Sequence, residues 1–141
     1  MAVTLSDAAR RYIALFDAQT DVTPTDCIVD EEFERVVFVV PSGSMGQAIG
    51  AGGEHVRAIE DDIGRDVEVV EDAPDAEGFV ANALAPAAVY NVTVSGDDET
   101  VAYAEVDDAD RGVAIGADGR NIRLARQLAE RHFGIETIEL T

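Results

Sequence analysis

Ten residues, Ala48-Ile49-Gly50-Ala51-Gly52-Gly53-Glu54-His55-Val56-Arg57, return sixty-six positions later as Ala114-Ile115-Gly116-Ala117-Asp118-Gly119-Arg120-Asn121-Ile122-Arg123. Six of the ten positions are identical: the Ala, the Ile, the first Gly, the next Ala, the last Gly and the Arg. A repeat of this kind limits the chain to folds built from two like units. In a chain of 141 residues each has about 70, near the lower limit for a self-sufficient core. Each copy follows a β-rich run and opens a long amphipathic pattern. Two glycines flanking two small or polar residues permit a tight turn whose backbone can approach another molecule closely. The turn feeds a helix N-terminus, where unpaired N–H groups and the positive dipole end favour an anion such as phosphate. An ordinary helix–helix turn is the alternative for a single copy. A second copy at matched register favours the binding role.

The chain has one cysteine, Cys27, so no intrachain disulfide and no cysteine-based metal site is expected. No apolar run approaches the length of a membrane span, and the N-terminus lacks a basic region followed by an apolar core. These features lead us to expect a soluble cytoplasmic monomer with no cofactor, no metal and no membrane partner.

The formal net charge is −19, and all ten basic residues are arginine. Such a surface repels itself at low salt. At molar salt the Debye length is only about 3 Å and the repulsion is screened. The acids are spread along the chain rather than gathered in one tail, which favours adaptation to molar salt over an acidic protein that simply binds cationic partners. From Arg111 to Gly134, five arginines face two acids, Asp118 and Glu130, a local excess of +3. A basic island in an acidic chain suits an anion-facing surface. A solvated helix face is the plainer reading.

Taken in order, Leu5, Ala9, Tyr12, Ile13 and Phe16 recur at helical spacing. They predict a helix from Ser6 to Gln19, capped by Thr4 or Ser6. Thr23-Pro24-Thr25 breaks it. Cys27 to Asp30 reads as a short strand and the valine-rich Val36 to Val40 as a second. After a turn at Pro41-Ser42-Gly43-Ser44, one helical turn, Met45 to Ile49, leads into the glycine loop. A helix with Val56, Ile59, Ile63 and His55 on its inner face stops at Gly64. Asp66 to Val70 alternates as a strand.

Glu71-Asp72-Ala73-Pro74 is the expected boundary, giving units 1–72 and 73–141. The order then begins again. A short helix around Phe79 and Leu84 is followed by strands Val89 to Val94 and Thr100 to Val106, with a turn at Ser95-Gly96-Asp97-Asp98. Asp107, Asp108 and Asp110 precede the second short helix and loop. The next helix carries Ile122, Ala125, Leu128, Ala129 and Phe133 and ends at Gly134. Ile135, Thr137, Ile138 and Leu140 close the unit as a strand. Each unit reads helix–strand–strand–short helix–glycine loop–long helix–strand.

That order, with Ile-Gly-x-x-Gly between two helices, resembles the KH domain of type II topology. The tandem pair, and the Ala-Ile-Gly-Ala-Asp-Gly-Arg-Asn-Ile-Arg-Leu-Ala stretch above all, resembles the NusA family, in particular its short archaeal members. The resemblance spans essentially the whole chain. It implies an α+β fold of two tandem type II KH domains, each a three-stranded mixed sheet packed against helices. It also implies single-stranded RNA binding, in which each loop clamps the nucleotide backbone beside a groove for about four nucleotides. Transcription elongation, termination and antitermination are the processes implied, with RNA polymerase or ribosomal components as further partners.

Carried onto this chain, the first clamp is Gly50, Ala51, Gly52 and Gly53, and the second is Gly116, Ala117, Asp118 and Gly119. Ile49 and Val56, with Ile115 and Ile122, line the groove or the core beneath it. Arg120, Arg123 and Arg126 supply positive charge in the second unit, and Arg57 and Arg65 in the first. Family loops often carry lysine where both loops here have alanine, and Asp118 sets a carboxylate beside a phosphate site. Neither loop has an aromatic residue for base stacking, which predicts modest affinity.

An enzyme is disfavoured. There is no phosphate-binding Gly-x-x-x-x-Gly-Lys-Ser/Thr and no dinucleotide fingerprint. His55 and His132 lie in different units, and a cap at the helix end suits His132 better than catalysis. The Asp107–Asp110 cluster lacks the spacing of a calcium loop. A protein-interaction module on a KH scaffold, with lost or weak RNA binding, is the competing reading.

Overall fold

A computed structural model describes residues 4–96 and 98–141. Of the expected turn at 95–98, Asp97 lies outside the described residues. The chain divides into two compact units, one ending at Asp72 and the other beginning at Ala73.

In the first unit, helix α1 (Asp7–Thr20) starts where the Ser6 hydroxyl accepts from the Ala9 amide at 3.1 Å. This satisfies one of the donors a helix start leaves open. Strands β1 (Asp26–Asp30) and β2 (Arg35–Val40) pair antiparallel, with Cys27 opposite Phe38. Strand β3 (Asp66–Glu71) then pairs parallel to β2, with Val36 opposite Val67. A parallel pair needs a crossover. Helix α2 (Met45–Ile49), a 3₁₀ turn (Ala51–Gly53) and helix α3 (Glu54–Ile63) supply it. The glycine loop therefore sits in the middle of the β2–β3 crossover, and the strand order β1-β2-β3 leaves β3 at the sheet edge.

Every residue of Val36–Val40 is fully buried, which is why the strand reads as a continuous apolar run. On one side, Val36, Phe38 and Val40 join Phe16, Ala48 and Ile59 in the core. The Phe16 and Phe38 ring centroids are 4.5 Å apart. Arg35, at the start of β2, is buried. It donates from Nε to Asp30 at 2.7 Å and from Nη1 to both Glu68 carboxylate oxygens at 3.1 Å. Its guanidinium also lies 5.2 Å from the centre of the Phe33 ring.

The second unit repeats the plan. Helix α4 (Ala76–Ala83) is capped by Asp75, which accepts from the Gly78 amide at 2.7 Å. Strands β4 (Val89–Gly96) and β5 (Thr100–Val106) pair antiparallel, and β6 (Thr137–Leu140) pairs parallel to β5, with Ala102 opposite Ile138. Helix α5 (Arg111–Ile115), a 3₁₀ turn (Ala117–Gly119) and helix α6 (Arg120–Phe133) form the crossover. The order β4-β5-β6 again puts the last strand at the edge. The α+β architecture of two KH-type units, each a three-stranded mixed sheet with helices, is thus the observed one.

The units differ where packing requires it. Ala102 and Ala104 stand in β5 where β2 has Val36 and Phe38, so the strand contributes less volume. Helix α6 is 14 residues long against 10 for α3. Its added turn brings His132 and Phe133 onto Phe79, with ring centroids 5.3 and 5.2 Å away. His132, expected as a helix cap, packs on an aromatic ring. Strand β4 runs through Ser95 and Gly96, which were expected in the turn. Tyr90 falls at a bulge between the Val89 and Asn91 pairs. The bulge turns its ring outward, and its hydroxyl donates to Asp107 at 2.5 Å. Ile135 is buried ahead of β6 rather than within it.

Candidate nucleic-acid interface

The two glycine loops have one backbone. Gly50 and Gly116 have φ/ψ of 79°/168° and 78°/167°. Two residues on, Gly52 and Asp118 are left-handed at 60°/19° and 57°/24°. Gly53 and Gly119 follow at 79°/17° and 76°/13°. The internal hydrogen bonds match as well. The Gly50 amide donates to Gly46 at 3.0 Å and that of Gly116 to Gly112 at 2.9 Å. The Gly53 amide donates to Gly50 at 3.1 Å and that of Gly119 to Gly116 at 3.0 Å. These turns leave the N–H groups of Ala51 and Gly52, and of Ala117 and Asp118, outside their bonding. All four residues are exposed. Asp118 therefore holds, at the strain of a non-glycine left-handed residue, the conformation that glycine adopts freely in the first loop.

The first glycine is demanded twice over. Its conformation lies in a region almost closed to other residues. A Cβ at Gly116 would meet the backbone nitrogen of Asn121 at 2.9 Å, and one at Gly50 would meet the His55 ring at 2.8 Å.

Those two neighbours, His55 and Asn121, occupy the same place in the repeat. Each ties the start of the long helix back to the short helix before the loop. His55 Nδ1 lies 2.9 Å from the Gln47 carbonyl, a bond that places the proton on Nδ1. The Asn121 amide nitrogen donates to Ala114, Leu84 and Val113 carbonyls at 3.1, 3.3 and 3.4 Å. These staples hold the loop in shape. Sequence reasoning missed both, because a histidine and an asparagine share no motif.

Beside the first loop lies a groove of about 340 Å³ lined by Ile49, Gly53, Val56, Arg57, Val67 and Val69. From the sequence, Ile49 and Val56 were expected in the groove or the core beneath it, Gly53 in the loop and Arg57 as nearby positive charge. Val67 and Val69 of edge strand β3 are the additions, and they arrive through the parallel register. In the second unit the corresponding positions are Ile115, Gly119, Ile122, Arg123 and, by the β5–β6 register, Ile138 and Leu140. There Ile122 is 6 % exposed and belongs to the core, while Ile115 is 41 % exposed at the surface.

The arginines divide. Arg57 Nη1 donates to the Gly52 carbonyl at 2.5 Å, and Arg120 Nε to the Ala117 carbonyl at 3.3 Å. Both guanidiniums thus lie against their loops. Arg123 is exposed one turn into α6. Arg126 stands apart from the second loop, with Nε and Nη2 donating to the Ile138 carbonyl at 3.3 and 3.0 Å. Arg65 lies beyond α3 and pairs with Glu31 at 3.1 Å, which raises its already high pKa.

A second hollow, of about 350 Å³, is lined by Tyr90, Glu105, Val106, Asp107, Asp108 and Thr141. The Tyr90 hydroxyl holds the Asp107 carboxyl below its usual range and is itself held above its own. Carboxylates line this hollow, so it suits an anion poorly. Among the described residues no cluster of His, Cys, Asp or Glu is arranged to hold a metal ion, and no helix is long and apolar enough to cross a membrane.

Comparison with known proteins bears on this geometry. A family model for the KH domain matches residues 10–99, and one for the NusA-like second KH domain matches residues 76–141. The probable transcription termination protein NusA of Halobacterium salinarum is 62 % identical over 141 residues, covering 100 % of both chains. The chain belongs to the NusA family. A second NusA relative, from Halococcus morrhuae, is 56 % identical over 140 residues and 99 % of each chain. Both organisms are halophilic archaea, in keeping with the acidic, lysine-free composition. The crystal structure of APE1850 matches with a TM-score of 0.85 at 33 % identity, over 97 % of this chain and 100 % of that one. The glycine loops thus belong to a tandem pair of NusA-like KH domains.

Proposed function

We propose that this NusA-family chain is a cytoplasmic, non-enzymatic transcription termination factor that binds single-stranded RNA, clamping its backbone with both Gly-x-x-Gly loops. The relatives carry the name of transcription termination proteins. The observation that carries the reading is the shared loop backbone, reproduced to within a few degrees although one loop has Gly52 and the other Asp118. A conformation held against the preference of its own residue serves something other than chain reversal.

In this reading the exposed amides of each loop meet a phosphate, and the bases turn into the groove floored by Val56, Val67 and Val69. Arg57, Arg120 and Arg123 add charge at the rim. At molar salt counterion release contributes little, so backbone hydrogen bonds and apolar contact carry the affinity.

Fluorescence anisotropy with labelled single-stranded RNA, duplex RNA and single-stranded DNA, from low to molar salt, tests the proposal. Single-stranded RNA should bind best and persist at molar salt. Ala117→Asp, which sets two adjacent carboxylates in the second loop, should weaken it. Unchanged affinity in a folded Ala117→Asp protein would refute the clamp. Absence of binding to all three probes would favour a protein-interaction role.

A further inference from the structure

The edge strands carry a difference between the units that the loops do not. Just past β3 the Asp72 amide donates inward to Val40, and just past β6 the Thr141 amide donates inward to Ala104. Successive residues of a strand point their backbone groups to opposite sides. Val67 and Val69, and likewise Ile138 and Leu140, therefore turn their N–H and C=O groups away from the sheet, towards the helix that follows each loop. One helical turn beyond the groove residue Val56 and its counterpart Ile122, that helix presents Glu60 in the first unit and Arg126 in the second.

Both side chains reach the same point on their edge strand with opposite chemistry. Glu60 Oε2 accepts from the Val67 amide at 3.0 Å. Arg126 Nε and Nη2 donate to the Ile138 carbonyl at 3.3 and 3.0 Å. Val67 and Ile138 are equivalent by register, since they stand opposite Val36 and Ala102, which are sixty-six residues apart. The first unit thus holds an acceptor beside a backbone donor, and the second holds donors beside a backbone acceptor.

We infer that Glu60 and Arg126 are specificity-determining residues that give the two units opposite base preferences. The first selects bases with an amino group beside an unprotonated ring nitrogen (cytosine, adenine) and the second selects bases with a keto group beside a ring N–H (uracil, guanine). This rests on the proposed RNA-binding role.

The argument is one of hydrogen-bond complementarity. Cytosine offers an amino donor beside a ring-nitrogen acceptor. Entering between Glu60 and Val67, it exchanges one internal hydrogen bond for two, carboxylate to amino group and amide to ring nitrogen. Uracil would set its carbonyl against the carboxylate and leave both without a donor, the asymmetry that makes polar mismatch costly. In the second unit uracil's carbonyl meets Arg126 and its ring N–H meets the Ile138 carbonyl, while cytosine is the mismatch. A two-bond match of this kind separates bases by roughly 5- to 100-fold in affinity. Cytosine and uracil are nearly isosteric, so shape cannot imitate the effect.

The test uses the full chain with one loop disabled at a time. Ala117→Asp leaves the first unit active. Ala51→Asp with Gly52→Asp leaves the second, and position 52 accepts aspartate because Asp118 already adopts that backbone. Labelled octacytidylate and octauridylate are titrated by anisotropy at molar salt, with folding checked by circular dichroism. The first unit should prefer octacytidylate and the second octauridylate, each at least about fivefold. Glu60→Gln, which keeps length and offers either a donor or an acceptor, should bring the first ratio close to one. Glu60→Arg should invert it, and Arg126→Gln should flatten the second. Binding that persists with equal ratios, or ratios unmoved by these substitutions, overturns the inference and leaves RNA binding standing. Failure of the unsubstituted chain to bind either oligonucleotide overturns both.

Discussion

Replacing single loop residues with alanine tests the loop geometry directly, because each position makes a different demand. At Gly52 the backbone is left-handed, with φ +60° and open space where a Cβ would go. Alanine there costs about 1–2 kcal/mol in conformation. It recovers about 0.4–1 kcal/mol by restricting the unfolded chain, so Gly52→Ala should destabilise by no more than about 1.5 kcal/mol. Gly50 lies in the region nearly closed to other residues, worth about 1–3 kcal/mol. Its Cβ would also displace the His55 ring, sacrificing the Gln47 hydrogen bond for about another 1 kcal/mol. Gly50→Ala should therefore cost about 1–3.5 kcal/mol. At Gly116 the obstacle is the Asn121 backbone nitrogen at 2.9 Å, which no rotamer change relieves. Overpacking adds about 1–3 kcal/mol to the same conformational term, and with the same recovery from the unfolded chain the cost is about 1–5.5 kcal/mol. Urea denaturation at molar salt reads the series, and the expected order is Gly116, then Gly50, then Gly52. Gly116→Ala and Gly52→Ala agreeing within about 0.5 kcal/mol would refute the geometry on which the clamp rests.

Three further outcomes are expected. Asp118→Gly relieves left-handed strain but adds chain entropy, so stability should rise by no more than about 1.5 kcal/mol. RNA affinity should rise by about 1 kcal/mol at low salt as the carboxylate leaves the proposed phosphate site, and by less at molar salt; anisotropy reads both. Asn121→Ala removes the second loop's staple and should cost about 1–2 kcal/mol on thermal unfolding while lowering RNA affinity. Arg35→Met should cost about 1–3 kcal/mol, less than the loss of a fully enclosed pair, because the Asp30 and Glu68 side chains are 18 % and 39 % exposed and water can reach them. Burial pushes the Asp30 carboxyl up, but hydrogen bonds from Arg35 and the Phe33 amide, with the Arg35 charge, hold it below the ordinary aspartate value overall. Its contribution is present above the unfolded value and is lost as pH falls through the folded one. The gap between wild type and Arg35→Met in acid unfolding should therefore narrow below about pH 4; a gap that widens there contradicts the assignment.

Much of this molecule was legible because repetition supplied a check that a single copy lacks. The loops, the valine-rich β2 and the stops at Gly64 and Gly134 announce themselves through residue type, since left-handed backbone and buried strands each admit few residues. The long helix could be read as a turn longer in the second unit because those two glycines depart from the repeat offset. What could not be read depends on where side chains arrive after folding. His55 and Asn121 perform one task with different chemistry, and Glu60 and Arg126 reach one backbone position with opposite chemistry. No motif unites either pair, because the requirement is only a polar group of suitable length. Asp118 is the instructive intermediate. Its identity suggests repulsion of phosphate, yet its φ of 57° shows the loop backbone kept intact around it. In a chain of net charge −19 without lysine, a clamp made of backbone amides has an advantage that a clamp of side-chain cations lacks. Its donors survive any surface composition and do not depend on unscreened charge. Selection for acidic surface can then act on loop side chains, as at Asp118, while the backbone keeps the geometry on which the proposed clamp relies.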